Sequence, residues 1–141
     1  MAINKKKREQ IRNKYNGLCA YSGTLLEDDW QVEHIIPKIK FELDFEKGDP
    51  DDINNLVPIQ KLINHYKRGL SLNEFRNWYL GGLHKRLAKL PKNPRTEKSK
   101  KRNEYMRKIA SYFGITENKP FNGIFYFETL MGEADKNIFT E

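Results

Sequence analysis

Residues 31–38 read QVEHIIPK, and the interpretation of the whole chain begins from this stretch. Trp30, Val32 and His34 alternate as they would on one face of a strand, and the proline at the end of the stretch predicts where that strand stops. A carboxylate, Glu33, stands beside the imidazole of His34 within this apolar run. The simplest explanation is a strand with one solvated face, and the alternative is half of a metal site.

The composition is typical of a small protein with a large polar surface. Of the 141 residues, 38% are apolar and 32% are charged, which predicts a single domain, 1–141, with a modest core. No apolar run is long enough for a membrane span, and the basic segment MAINKKKREQ lacks the apolar region of a secretory signal. The single cysteine excludes an internal disulfide, so we expect a cytoplasmic protein with no membrane partner.

Charge is distributed unevenly along the chain, whose formal net charge is +7. Residues 1–20 and 84–109 are strongly basic, whereas residues 27–52 are acidic. Basic segments suit a polyanion such as DNA or RNA, and an acidic centre suits a divalent cation held between protein and phosphate. Each run alone is explained as well by a solvated helix face, but the segregation into three parts favours the nucleic-acid interpretation.

Local patterns predict an α+β fold built from short elements. Residues 4–15 favour helix, 29–36 favour a strand, 41–55 are loop-rich, and 61–68 can form about two helical turns. The elements predicted after residue 70 are a helix at 71–90 that begins with a Ser71–Glu74 capping box and is weakened at Gly81-Gly82, a basic linker at 91–100, a helix at 101–114 and a late strand at 123–130.

The residue types grouped around this stretch suit the hydrolysis of a phosphodiester. A histidine that titrates near neutral pH can deprotonate water, and Mg²⁺ or a similar ion can offset charge on the phosphate. Such an ion prefers oxygen ligands. Glu33 and His34 supply two of these groups, and the segment INNLVPIQKLINHYKRG, residues 53–69, offers amides, another histidine and basic side chains.

These residues resemble the HNH endonucleases, whose site lies in a ββα-metal fold. The family pattern is roughly C-x-Y-C-G, then D-H-I-x-P, then N-L, with a second Asn or His nine residues after that Asn and a Lys three further on. The matching residues are CAYSG at 19–23, EHIIP at 33–37, Asn55-Leu56, Asn64 and Lys67. The resemblance covers about 11–70 and implies a small ββα-metal core there, with a basic helical extension at about 71–141.

The resemblance implies a role for each matching residue. His34 would be the general base that activates water, and Asn55 would orient it and brace its loop, although Asn54 could take that role. Glu33 and Asn64 would hold one Mg²⁺ or Mn²⁺, and His65 is the alternative to Asn64. The residues expected to bind the phosphate backbone are Lys67, Arg68, Lys85, Arg86 and Lys89.

The chain departs from the family pattern in two ways. Glu33 replaces the commoner Asp, which keeps a carboxylate but lengthens its arm. The cysteines that hold a structural zinc in other members are missing, because Ser22, Gln60 and Ile63 stand at three of those positions beside Cys19. We therefore predict no structural zinc. Apolar packing is expected to replace it, from Leu18, Leu56, Val57, Ile59 and Leu62.

The leading interpretation is a metal-dependent endonuclease that cleaves DNA, with RNA left open as a substrate. The alternative is a nucleic-acid-binding module with the HNH fold that cleaves weakly or not at all and acts with a partner. A purely structural basic protein is a third interpretation. Neither the target sequence nor the oligomeric state is indicated.

Overall fold

The computed structural model describes residues 3–44 and 46–131. In chain order the elements are α1 (Lys5–Asn13), β1 (Gln31–His34), α2 (Lys38–Glu42), β2 (Leu56–Ile59), α3 (Lys61–Lys67), α4 (Leu72–Glu74) continued by a π-helical segment (Phe75–Leu80), α5 (Leu83–Lys89), α6 (Glu97–Tyr112) and α7 (Tyr126–Thr129). A 3₁₀ turn at Ile53–Asn55 leads into β2. Helix therefore combines with a small sheet, in agreement with the expected α+β class.

The two strands form an antiparallel pair that leads directly into a helix. Gln31 pairs with Ile59 and His34 pairs with Leu56, so β1 and β2 match over their full length. Gln60 alone separates β2 from α3, and α3 packs back against β1. The strand pair, with α2 and the 3₁₀ turn between its two strands, and α3 thus place the side chains of β1 beside α3.

A tight hairpin at residues 18–25 lies against the end of β2, and the side chain of Gln60 ties the two together. Its Nε2 donates to Thr24 Oγ1 at 3.1 Å and to the Leu25 carbonyl at 2.8 Å, and its Oε1 accepts from the Glu27 amide at 3.0 Å. Gln60 is buried. Leu56, Val57 and Ile59 are buried as expected, but the expectation of purely apolar packing in place of zinc was incomplete, because this tie is polar.

The late segment at 123–130 is helical at Tyr126–Thr129, so the prediction of a strand there was wrong. Its consecutive aromatic residues, Phe125, Tyr126 and Phe127, are of a type that is common in strands. The carboxylate of Glu128, however, accepts from the Phe125 amide at 2.9 Å, which closes a helical turn. The same carboxylate receives two bonds from the Arg76 guanidinium, at 2.5 and 2.7 Å. This distant partner fixes the turn and packs its aromatic residues into the core.

In the helical segment at 71–90, both the predicted cap and the predicted weak point are present. The Ser71–Glu74 capping box is confirmed, since each side chain bonds the other residue's amide at 3.2 and 3.1 Å. The predicted weakness at Gly81-Gly82 is also confirmed, because the helix is interrupted there before α5 begins. A Cβ on Gly81 would lie 2.3 Å from the Asn77 carbonyl oxygen, so glycine is required.

Two segments predicted to be irregular contain helix. α2 extends to Glu42, inside the predicted loop 41–55, and α6 begins at Glu97, inside the predicted linker 91–100. The hydroxyl of Thr96 accepts from the Ser99 amide at 3.1 Å and caps α6. Across residues 3–44 and 46–131, none of the helices combines the length and the apolar character that crossing a membrane requires.

Candidate active site at the end of the first strand

Glu33 is a buried carboxylate at the centre of the candidate site. It pairs with Val57 across the sheet, and only 8% of the residue is exposed. The Nζ of Lys67 lies 3.6 Å from its Oε1. Burial raises the pKa of Glu33 to about 7, and the charge of Lys67 opposes this rise without cancelling it. Near neutral pH the Glu33 carboxyl therefore exchanges readily between its charged and neutral forms.

Lys67 ends α3 and points inward, with 0% of the residue exposed. Its ammonium group donates to the Leu70 carbonyl at 2.9 Å and faces Glu33. The structure therefore corrects the expected placement of Lys67 on a phosphate-binding surface. In this conformation its charge neutralises a buried carboxylate, because a buried anion without a partner would cost several kcal/mol, on the order of 3 to 5.

His34 is held from the opposite side of the strand by an aspartate that sequence reasoning did not single out. Its Nε2 lies 2.7 Å from Oδ1 of Asp51, and Lys38 Nζ lies 3.9 Å from the same oxygen. The hydrogen bond from His34 lowers the pKa of Asp51, so the carboxylate is charged and accepts the hydrogen. The imidazole hydrogen then resides on Nε2, which leaves the lone pair of Nδ1 available to accept a proton.

Asn55 braces the loop that follows β1. Its Oδ1 accepts from the Ile36 amide at 2.9 Å, and its Nδ2 donates to the carbonyls of Ile36 and Pro50 at 3.1 and 2.9 Å. This bracing matches half of the role that the resemblance implied for Asn55. The contact to the imidazole itself comes from Asp51, which follows Pro50 directly, so Asn55 acts on His34 through the backbone of both loops. Asn54 is exposed.

Asn64 lies on α3 next to the Glu33 side of β1. Its Nδ2 donates to Gln31 Oε1 at 2.7 Å, and Gln31 shares a strand face with Glu33 because side chains two apart point the same way. Its carbonyl oxygen is not used in that bond. His65, the alternative metal ligand, turns away and hydrogen-bonds Tyr105 on α6 at 2.7 Å. The structure thus favours Asn64 over His65 as the neighbour of Glu33.

The donor atoms beside β1 suit a hard divalent ion with few protein ligands. A carboxylate and an amide carbonyl are oxygen donors, and Mg²⁺ commonly keeps several waters while binding one or two protein groups. Among residues 3–44 and 46–131 there is no cluster of three or more His, Cys, Asp or Glu side chains. The hydroxyl of Tyr21 is buried and has no hydrogen-bond partner among the described residues; burial raises its pKa, and the charge of Glu33 raises it further. A carboxylate and an amide oxygen are donors of the type that a single Mg²⁺ or Mn²⁺ takes, and in this structure Lys67 lies against the carboxylate.

The other basic residues expected to bind phosphate lie in different surroundings. Arg68 is exposed and follows α3 in a left-handed conformation with φ of 55°. Lys85 and Lys89 are exposed on α5. Arg86 is partly buried, since its Nη2 donates to the Tyr66 hydroxyl at 2.7 Å and contacts the Tyr79 carbonyl. Arg68, Lys85 and Lys89 are therefore accessible to a ligand. Arg86, in contrast, already hydrogen-bonds Tyr66 and Tyr79 within the protein.

Asp51 and Gln31 are the two residues of the site that sequence reasoning missed. Asp51 lies in the acidic segment 27–52, so its charge was noted but its pairing with His34 was not. Gln31 stands two residues before Glu33, and the period of a strand would have placed both on one face. No known protein family, curated protein or solved structure with which the sequence and the fold were compared matches this chain.

Proposed function

We propose that the chain is a metal-dependent endonuclease of the HNH type that hydrolyses phosphodiester bonds of DNA. In this proposal His34 is the general base, Asp51 is its positioning residue, and Glu33 and Asn64 hold one Mg²⁺ or Mn²⁺. Asn55 keeps the loops that carry His34 and Asp51 in register. The assignment of DNA rather than RNA rests on the resemblance described above.

The observation that carries the proposal is the 2.7 Å contact between His34 Nε2 and Asp51 Oδ1. A general base needs a fixed orientation and an unprotonated nitrogen that faces its substrate. The carboxylate holds the ring in place and keeps the hydrogen on Nε2, so that Nδ1 is the unprotonated nitrogen. Nδ1 can then take a proton from water, and the imidazolium that forms is stabilised by the negative charge of Asp51.

A bound Mg²⁺ or Mn²⁺ would offset the negative charge on the phosphate and on the leaving oxygen. Before Glu33 can bind the metal ion, it must separate from Lys67, because the ammonium group and the metal ion compete for the same carboxylate. Glu33 must also be ionised to act as a ligand. Its pKa of about 7 therefore makes metal binding sensitive to pH in the physiological range.

The basic surface supports a polyanionic substrate. Lys and Arg together number 26 against 19 Asp and Glu, and residues 84–109 carry much of this excess on α5, the following connection and α6. Contacts of such residues with phosphates release counterions, so affinity for DNA should fall steeply with salt. The exposed residues Arg68, Lys85 and Lys89 are proposed as phosphate contacts.

A second candidate function is a nucleic-acid-binding module that cleaves weakly or not at all. The buried Glu33–Lys67 pair favours it, because an ammonium group already neutralises the carboxylate that would hold the metal. In this alternative the pair is a structural element, and a partner supplies any chemistry.

One experiment separates the two functions. Supercoiled plasmid and a labelled duplex are incubated with the protein in Mg²⁺, in Mn²⁺ and in EDTA, and both cleavage and binding are measured. The nuclease proposal predicts binding in all three conditions and cleavage in the two metal conditions. Salt-sensitive binding with no cleavage in either metal would reject it in favour of the module, and an absence of binding would reject both.

A further inference from the structure

A pocket with several basic residues in its lining lies between α5 and α6, apart from the residues of β1 and α3. It has a volume of about 270 Å³ and is lined by Arg86, Lys89, Ser99, Arg102 and Asn103, with Leu90 and Pro91 at its apolar side. The charged residues that line it are all basic. Ser99 belongs to the first turn of α6, whose 16 residues direct the positive end of a helix dipole towards this region. The pocket is therefore suited to a phosphate group.

Asn103 shows that a simple anion would not satisfy this pocket. The residue is only 9% exposed, and its Nδ2 donates to the Pro91 carbonyl at 2.7 Å. This bond fixes the amide so that Oδ1 is a buried acceptor, and no group in the described part of the chain donates to it. Buried polar atoms are rarely left without a partner, because the desolvation cost is about 1–3 kcal/mol. A ligand that fills the pocket would need both a phosphate and a hydrogen-bond donor.

We infer that this pocket binds one nucleotide of a polynucleotide strand, with its phosphate on Lys89 and Arg102 and a hydroxyl or amino group of the same nucleotide donating to Asn103 Oδ1. A nucleotide combines these two features within the dimensions of the pocket. The pocket is thus a subsite for the strand, outside the residues proposed for cleavage. The inference rests on the proposed function only in taking nucleic acid as the ligand.

The pocket is physically connected to the helix that carries Asn64. Arg86 lines the pocket and donates to the Tyr66 hydroxyl at 2.7 Å, and Tyr66 lies on α3 two residues after Asn64. α3 also packs against α6 through the ring contacts of Tyr66 and His65 with Tyr105. A DNA strand held in the pocket would therefore bind to helices that pack directly against α3, the helix that carries the candidate metal ligand Asn64.

The test compares two double variants that remove equal charge. Lys89→Ala/Arg102→Ala removes two cations that line the pocket, and Lys98→Ala/Lys101→Ala removes two exposed cations of α6 that do not. Binding of a short fluorescein-labelled single-stranded DNA is followed by anisotropy in EDTA over a range of salt concentrations. The pocket pair should weaken binding about tenfold more than the control pair. It should also reduce the slope of log K against log salt by about 0.7, since one single-strand phosphate loses its cationic contacts.

A second comparison addresses the buried acceptor. Asn103→Asp places a negative charge in the pocket, whereas Asn118→Asp makes the same change on an exposed residue beyond the other end of α6. The first variant should lose binding and the second should retain most of it, with the thermal unfolding of both recorded. Should Asn103→Asp fail to fold, the two double variants decide the matter alone.

Equal losses of DNA affinity in the two double variants would overturn the inferred subsite, because the effect would then depend only on the net charge of the protein. Because binding is measured in EDTA, the outcome is independent of cleavage. A protein that shows the pocket effect but never cleaves DNA in Mg²⁺ or Mn²⁺ would retain this inference and lose the proposed nuclease function. The reverse result would retain the nuclease and remove the subsite.

Discussion

The Nζ of Lys67 lies 3.6 Å from Oε1 of Glu33, and both residues are almost completely buried. The pair joins the end of α3 to the centre of β1, so it connects the helix and the strand of the candidate site. It also means that the carboxylate proposed to hold a divalent ion is matched with a cation from the chain itself. A metal ion bound at Glu33 would therefore compete with Lys67 for the carboxylate.

Replacement of Lys67 should reveal this competition. Lys67→Met keeps much of the buried volume but leaves Glu33 without its partner, so the metal-free protein should lose about 3 kcal/mol of unfolding free energy. Mn²⁺ should then raise the melting temperature of Lys67→Met more than that of the unmodified chain, since a ligand stabilises the state it binds. Lys61→Met, an exposed change on the same helix, should behave like the unmodified chain. A shift that is equal in all three proteins would contradict a metal site at Glu33.

The raised pKa of Glu33 predicts how stability changes with pH. Between about 4.5 and 7 the folded protein binds a proton at Glu33 that the unfolded chain has released, so its contribution to stability declines as pH rises through this interval. The decline should be about 3 kcal/mol and should level off above pH 7. Urea unfolding in EDTA at several pH values measures it. The difference in unfolding free energy between the unmodified chain and Glu33→Gln isolates the carboxyl, and a difference that does not vary with pH would show that Glu33 is not perturbed.

The contact between Asp51 and His34 should matter for the rate of cleavage rather than for DNA binding. In Asp51→Asn an amide can donate to Nε2, which allows the imidazole hydrogen to move to Nδ1 and removes the lone pair that accepts a proton. We expect the single-turnover cleavage rate to fall about 100-fold, within the usual range for general base catalysis. Asp28→Asn removes the same charge from an exposed loop and serves as the control. If the two variants cleave equally fast, Asp51 has no positioning role.

The three hydrogen bonds of Gln60 should account for much of the stability of the hairpin at 18–25. Gln60→Ala leaves the Glu27 amide and the Leu25 carbonyl without their partner and opens a cavity. The expected loss of unfolding free energy is about 3 kcal/mol. Gln10→Ala, on the exposed face of α1, should change it by less than about 0.5 kcal/mol. Urea unfolding of the two variants is the measurement, and similar midpoints would show that the polar tie is dispensable.

Local sequence signals predicted the elements whose determinants are themselves local. The strand at 31–34 and the helix at 61–67 follow from apolar periodicity, and the Ser71–Glu74 cap follows from two residues three apart. The late strand was predicted wrongly because the residue that decides it, Arg76, lies 52 positions from its partner Glu128. The aromatic residues near Glu128 in the sequence carry no information about this long-range contact.

The candidate site was predictable as a set of residue types and less so as a geometry. The order and spacing of Glu33, His34, Asn55 and Asn64 identified the positions. Glu33 is paired with Lys67 from α3, and His34 is paired with Asp51 from the loop before the 3₁₀ turn. Both are tertiary contacts, and spacing along the chain does not predict which side chain points inward. For this reason Lys67 was expected to bind phosphate rather than to pair with Glu33, and Asp51 was not identified.

The most direct test of the account is the single-turnover cleavage of a labelled DNA duplex by the unmodified chain and by His34→Ala, in saturating Mn²⁺. His84→Ala, on α5, is the matched control for the loss of an imidazole. We predict metal-dependent cleavage by the unmodified chain and by His84→Ala, and a rate at least about 100-fold lower for His34→Ala. Cleavage by His34→Ala at the rate of the unmodified chain would contradict the central claim that His34 is the general base.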